Sequence, residues 1–218
     1  MPKRRCLYLD PTWPSMPLRH SVSGWMELLT RLVKSAHNRL RPLAMRTRGL
    51  ARQALMPGVI QGGRALHVGR NVEIIVYGEL EIGEGVILSD GCALEVGPGA
   101  RLVLGDRVFV GRHSVVVSIE LIEIGADTLI AEHCTIRDQN HHLVPEERLR
   151  EVTALTDPVR IASKVWIGAG VRVLKGAQIG EGAVIAANAV VTGAIPDRVI
   201  AGGIPARVLR AVGQAKQD

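Results

Sequence analysis

The sequence predicts a mainly β protein, a parallel β-helix of six-residue repeats preceded by a partly helical extension. Three observations predict it. From about Val68 onward, aliphatic residues recur at a spacing of six within successive runs, among them "IGEGVI" at 82, "LSDGCA" at 88, "LGDRVF" at 104 and "IGADTL" at 124. After one long interruption the spacing resumes at Ile161 and holds through Ile167, Val173, Ile179, Ile185 and Val191. Only six of the 218 residues are Phe, Trp or Tyr, which suits a narrow core of small and β-branched side chains. A period of six fits neither a helix nor a simple strand alternation; it marks stacked coils.

The elements follow in order. Residues 1–57 form a basic extension, with eleven Lys/Arg against two Asp/Glu, although the whole chain carries only +6. Within it, Val22, Trp25, Met26, Leu29, Leu32, Val33, Ala36 and Leu40 recur at three- and four-residue spacing opposite Arg31, Lys34, Asn38 and Arg39. That is an amphipathic helix, ended near Pro42. A weaker helical segment runs from about Leu43 to Leu55. This basic stretch, residues 22–55, is a candidate for peripheral contact with an anionic membrane; capping the open end of the coil or packing between subunits are its other possible tasks. A nucleic-acid partner is not expected, because no stacking aromatics accompany the charges.

Residues 58–210 form the coil, and 211–218 a short tail. If each hexad makes one short strand and a corner, three close a triangular coil. The leading aliphatic residues then point inward and stack on their equivalents one coil away, and Gly at the second position supports the corner. Cys92 and Cys134 fall at the small fifth position and read as packing residues. With Cys6 they show no metal or disulfide spacing, so the expected setting is a reducing cytoplasm, at the inner face of the membrane if the extension binds lipid. No run of 18 apolar residues occurs.

A stack of aliphatic residues has no chemistry of its own, so function is expected where the repeat fails. The clearest failure is "TIRDQNHHLV" at 135–144. Ile161 follows Ile136 by 25 residues, one more than four hexads, and residues 142–160 read as a loop thrown out from the coil. His141 at its root could serve as a general base, with His142 as its rival, and Asn140 or Asp138 could orient the ring or the acceptor. His113 and His133 lie outward in intact hexads and read as solvent or subunit contacts. Trp166 precedes inward Ile167 and therefore faces outward, either at a subunit interface or against the loop.

The C-terminal block "VWIGAGVRVLKGAQIGEGAVIAANAVVTGAIPDRVIAGGIPARVLR" resembles the shared ending of the hexapeptide-repeat acetyltransferases, and the resemblance covers roughly residues 66–210. It implies a left-handed parallel β-helix and a homotrimer with active sites between subunits. It also implies acetyl-CoA as acyl donor and a histidine base at the break, which the match of "IRDQNH" places at His141. Carried over position by position, Ala169 and Ala187 would offer backbone groups to the pantetheine arm, beside Trp166. Thr192 would lie near the diphosphate, and Arg207 and Arg210 would approach the phosphates. The family often has Lys after that Thr; here it is Gly193, so Arg198 or a neighbouring subunit must supply the contact.

The "DQNH" break and its charged loop are most similar to acetyltransferases of surface-polysaccharide and lipopolysaccharide assembly. The expected reaction is acetyl transfer to a hydroxyl or amine of a sugar. Xenobiotic and serine acetyltransferases and a non-enzymatic scaffold are the alternatives. The zinc enzyme on this fold is not expected, since His113, His133 and His141 lack its spacing, and no metal is expected.

Overall fold

Every leading aliphatic residue of the six-residue runs turns inward and stacks on its equivalent one coil away. Val68, Leu88, Val110, Ile130, Ile167 and Ile185 form one such column, each in register with the next and all 2% exposed or less. Columns led by Ile82 and Ile74 line the other two sides. The fifth positions, including Val86, Cys92, Val108, Ser114, Thr128 and Cys134, are buried between the columns. Burying each aliphatic side chain contributes about 1.5–3 kcal/mol, so the stack is the main source of cohesion.

The computed structural model describes residues 42–51, 60–62, 65–141 and 154–213. All of them belong to one unit, Arg41–Asp218. The other unit, Met1–Leu40, and with it the amphipathic stretch 22–40, lies outside the described residues.

Three parallel sheets wrap the core. The first comprises Ile60–Gly62, Glu79–Ile82, Arg101–Leu104, Leu121–Ile124, Val159–Ile161, Gln178–Ile179 and Ala194–Ile195. The second comprises His67–Val68, Ile87–Leu88, Phe109–Val110, Leu129–Ile130, Trp166–Ile167, Val184–Ile185 and Val199–Gly202, and Arg207–Ala211 is added to it antiparallel. The third comprises Glu73–Val76, Ala93–Val96, Val115–Ser118, Thr135–Arg137, Arg172–Val173 and Val190–Val191. The chain visits first, second and third sheets in turn, as three hexads per coil require.

A helix over 42–51 carries the weaker helical signal expected from about Leu43 to Leu55; residues 52–59 lie outside the described ones. Its first described residue is Pro42, whose fixed φ and missing N–H suit a first helical turn. Met45 is buried, and the Arg48 Nε donates to the Val68 carbonyl at 2.9 Å, so this helix lies against the first described coil.

Two details depart from the sequence reading. Left-handed backbone falls on the fourth residue of the hexad, not the second: φ is 52° at Asn71, 70° at Gly85 and 55° at His113. Glycine at the second position answers instead to the closeness of the next coil. A Cβ on Gly83 would stand 2.5 Å from the Asp106 nitrogen, and one on Gly168 would stand 2.7 Å from that of Ala187.

The second departure concerns the corner between third and first sheets. Six residues separate inward Val173 from Ile179, but eight separate Ile74 from Ile82, ten Leu94 from Leu104, and eight Val116 from Ile124. The long interruption leaves from this already widened corner.

Candidate active site

The interruption begins as a ribbon. Gln139–His141 pairs antiparallel with Ala154–Thr156, placing Gln139 opposite Thr156, Asn140 opposite Leu155 and His141 opposite Ala154. The coil resumes at Val159, which pairs with Ile122 in the first sheet. The excursion is therefore shorter at its C-terminal end than 142–160, because residues 159 and 160 already belong to a coil strand; residues 142–153, with the rival His142, lie outside the described ones.

This geometry corrects the placement of His141. The coil proper ends at Arg137, and His141 stands exposed on the ribbon, not in the stack. Side chains alternate along a strand, so Gln139 and His141 share one ribbon face with Ala154 and Thr156, while Asn140 and Leu155 occupy the other. Asn140 therefore points away from the His141 ring and is not placed to orient it. Gln139 and Thr156, which the sequence reading did not single out, hold the positions beside it. Three-residue strands are too short to reveal such alternation in sequence.

Asp138 is fully buried, with 0% exposure. Its Oδ1 accepts from the Ile119 N–H at 2.9 Å; its Oδ2 accepts from the Glu120 N–H at 2.9 Å and lies 3.0 Å from the Ser118 Oγ. The carboxylate thus faces the corner of the preceding coil, so it does not orient the His141 ring directly. Ser118 stands in register with Val96, and Val96 with Val76, so aligning the coils would have exposed a polar residue in an apolar column.

A second feature lies at the corner between second and third sheets. A groove of about 430 Å³ is lined by Ala131, Glu132, Trp166, Gly168, Ala169, Val184, Ile185, Ala186 and Ala187. It brings together Trp166, Ala169 and Ala187. Trp166 is 56% exposed and stands in an outward column between Leu129 and Val184. Beside the groove, the His113 and His133 rings stack at 5.4 Å with 14° between their planes, and Arg172 Nη1 donates to the carbonyls of His133 (2.7 Å) and Gly170 (2.9 Å).

Thr192 is exposed at the next corner, between third and first sheets, and is not part of this groove. Gly193 beside it has nothing within 4 Å of where a Cβ would stand. Arg207 and Arg210 lie on the closing hairpin, where Arg207 Nη1 donates to the Ala206 carbonyl at 2.9 Å and Arg210 stands opposite Ile200. Burial pushes the Cys92 thiol up to about 11 and raises that of Cys134, which fits packing and not nucleophilic chemistry. Among the described residues no cluster of three His, Cys, Asp or Glu could hold a metal ion, and no helix is long and apolar enough to cross a membrane.

Comparison with known proteins bears on the coil that carries both features. The family described as Bacterial transferase hexapeptide (six repeats) matches residues 158–193, the stretch of unbroken spacing. The Putative lipopolysaccharide biosynthesis O-acetyl transferase WbbJ of Escherichia coli is 33% identical over 160 residues, covering 65% of this chain and 80% of WbbJ. The chain belongs to the hexapeptide transferase family. A second relative of this hexapeptide transferase, the Probable acetyltransferase Rv3034c of Mycobacterium tuberculosis, is 38% identical over 161 residues, 71% of this chain; the chain spans about half of that relative, 52%. The fold recurs in the N-acyltransferase AntD of Bacillus cereus, solved with dTDP and 3-hydroxybutyryl-CoA, at TM-score 0.65 and 20% identity over 74% of this chain and 88% of AntD. It recurs also in the Hexapeptide-Repeat containing-Acetyltransferase VCA0836 of Vibrio cholerae, complexed with acetyl-CoA, at TM-score 0.54 and 24% identity over 88% and 92%.

Proposed function

We propose that this chain is a CoA-dependent acyltransferase that moves an acetyl group from acetyl-CoA to a hydroxyl of a sugar or saccharide, with His141 as general base. The observation that carries the reading is the pairing of an apolar, small-residue groove containing Trp166, Ala169 and Ala187 with an exposed histidine at the root of the break in the coil. The kinship with WbbJ and with Galactoside O-acetyltransferase of Escherichia coli, 32% identical over 114 residues, supports a sugar acceptor in surface-polysaccharide assembly.

The chemistry follows from the residues. His141 takes the proton of the acceptor hydroxyl as its oxygen attacks the thioester carbonyl. The carbon–sulfur bond then breaks, and the proton passes to the departing CoA thiolate. Alanine and glycine leave room for the pantetheine arm against the backbone, and Trp166 covers its reactive end. Arg207 and Arg210 meet the phosphates.

The same geometry supports a homotrimer. In one chain the groove lies at the corner between second and third sheets, while His141 departs from the corner between third and first sheets. Reacting atoms must approach to about 3–3.5 Å. A second copy that lays its ribbon against the groove brings base and donor together, and it covers Trp166. Peripheral membrane contact through residues 22–55 is a further part of this reading, motivated by their basic charge.

Release of free CoA thiol from acetyl-CoA, measured across nucleotide-linked sugars and p-nitrophenyl glycosides, tests the proposal. His141→Ala is expected to reduce turnover on the accepted sugar by about 10²- to 10⁴-fold. Unaltered turnover would remove His141 as base. Absence of thermal stabilisation by millimolar acetyl-CoA would return the chain to a scaffold role, because a ligand that binds only the native state raises its stability.

A further inference from the structure

We propose that Asp138 is the positioning residue of the active site: it fixes the direction of the ribbon that carries His141, through the backbone and without touching the imidazole. The inference rests on the reading of His141 as base.

A fully buried carboxylate is costly unless its oxygens are satisfied. Those of Asp138 are satisfied by one small corner of the preceding coil: the N–H groups of Ile119 and Glu120, and the Ser118 hydroxyl. The Asp138 carbonyl in turn accepts from the Asp157 N–H at 2.9 Å. One residue therefore ties together the coil below, the outgoing limb of the excursion and its returning limb. It stands between Arg137, the last coil residue, and Gln139, the first of the ribbon.

The ribbon needs such an anchor. It has three paired residues on each limb, and an isolated two-stranded ribbon is marginal in water. His141 is three residues beyond Asp138, a reach of about 10 Å, so a tilt of only about 6° at the root displaces the imidazole by about 1 Å. A misplacement of that size costs about 10²-fold in rate. Ser118 is a weaker partner in the clamp. Its hydroxyl has one proton and two acceptors in reach, Asp138 Oδ2 and the Arg101 carbonyl at 2.9 Å.

The test uses the full chain, with acetyl-CoA and the best p-nitrophenyl glycoside as substrates, and compares Asp138→Ala, Asp138→Asn and Ser118→Ala with wild type. Thr128→Val is the control for plain destabilisation. Thr128 is likewise a buried polar residue, bridging the Ala162 carbonyl and the Val165 N–H, but at another corner. Asp138→Ala is expected to lower kcat about 10²-fold with KM for acetyl-CoA unchanged and the pH midpoint of kcat/KM unchanged, since the base is the same group. Asp138→Asn keeps one acceptor oxygen and should fall between, and Ser118→Ala should lose least. Thr128→Val should melt lower yet keep its kcat.

Backbone hydrogen exchange supplies a readout that needs no turnover: Asp138→Ala should accelerate exchange at residues 139–141 and 154–156 while the coil strands stay protected. A kcat within about threefold of wild type for Asp138→Ala, or equal kcat losses in Asp138→Ala and Thr128→Val, would overturn the proposal, as would unchanged ribbon exchange. If Asp138→Ala does not fold, Asp138→Asn and Ser118→Ala carry the same comparison. Activity retained in His141→Ala would instead refute the base while leaving the exchange result to judge the clamp.

Discussion

Substituting alanine for Gly168 probes the packing of the coils and the proposed acetyl-CoA groove at once. The new Cβ would stand 2.7 Å from the Ala187 nitrogen and 2.8 Å from the Ile185 carbonyl oxygen, about 0.7 Å short of ordinary contact. Both neighbours are backbone of the next coil and cannot rotate away. Overpacking of this kind costs about 1–3 kcal/mol, which for a domain of this size lowers Tm by roughly 2–12 °C. The strain falls on the Ala187 amide that is proposed to meet the pantetheine, so KM for acetyl-CoA should rise several-fold. Gly182 is the matched comparison. At φ +65° its alanine variant bears the cost of left-handed backbone, about 1 kcal/mol, but the nearest atom is the side-chain Cγ of Arg198 at 3.5 Å. Thermal melts and acetyl-CoA titrations of the two variants decide the matter. If Gly182→Ala is the more destabilised, close approach of the coils is not what reserves the second position for glycine; if Gly168→Ala binds acetyl-CoA like wild type, the Ala187 amide does not meet the pantetheine.

Other expectations follow from the same structure. Burial holds the Cys92 thiol neutral up to about 11, above its ordinary value of 9.0. Its contribution to stability is complete below pH 9 and is lost as pH rises from 9 towards 11; denaturant titrations should show this decline in wild type and a flatter profile in Cys92→Ala. Iodoacetamide at pH 8 should label Cys92 slowly in the native protein and quickly in urea. Lysine at position 193, entering open space on a backbone outside the left-handed region, should leave Tm nearly unchanged and lower KM for acetyl-CoA; an unchanged KM would mean that the cofactor phosphates do not pass there.

Most of the coil was legible in the sequence because its signal is repeated: one misplaced hexad is corrected by its neighbours, and the inward positions from Val68 to Val191 all proved buried. Trp166, Ala169 and Ala187 share a groove because a fixed pitch carries residues a set number of hexads apart to the same corner. The ribbon was not legible. Its pairing depends on two three-residue segments separated by a dozen others, and neither carries a turn signal or a long alternation. The role of Asp138 escaped for the same reason, since its partners Ser118, Ile119 and Glu120 come from one coil earlier and are brought close by stacking alone.

The widening of a single corner in successive coils has an engineering consequence. Inserts of two, four and two extra residues are absorbed between the third and first sheets before the long one, and none disturbs the inward columns. That corner is a natural graft point: the length and chemistry of its excursion can be exchanged while the C-terminal coils, at a constant eighteen-residue pitch from Ile161 to Ile179 and from Ile167 to Ile185, keep their register. On the proposed reading, transplanting excursions between relatives at this corner offers a route to new acceptors with the acetyl-CoA groove left unaltered.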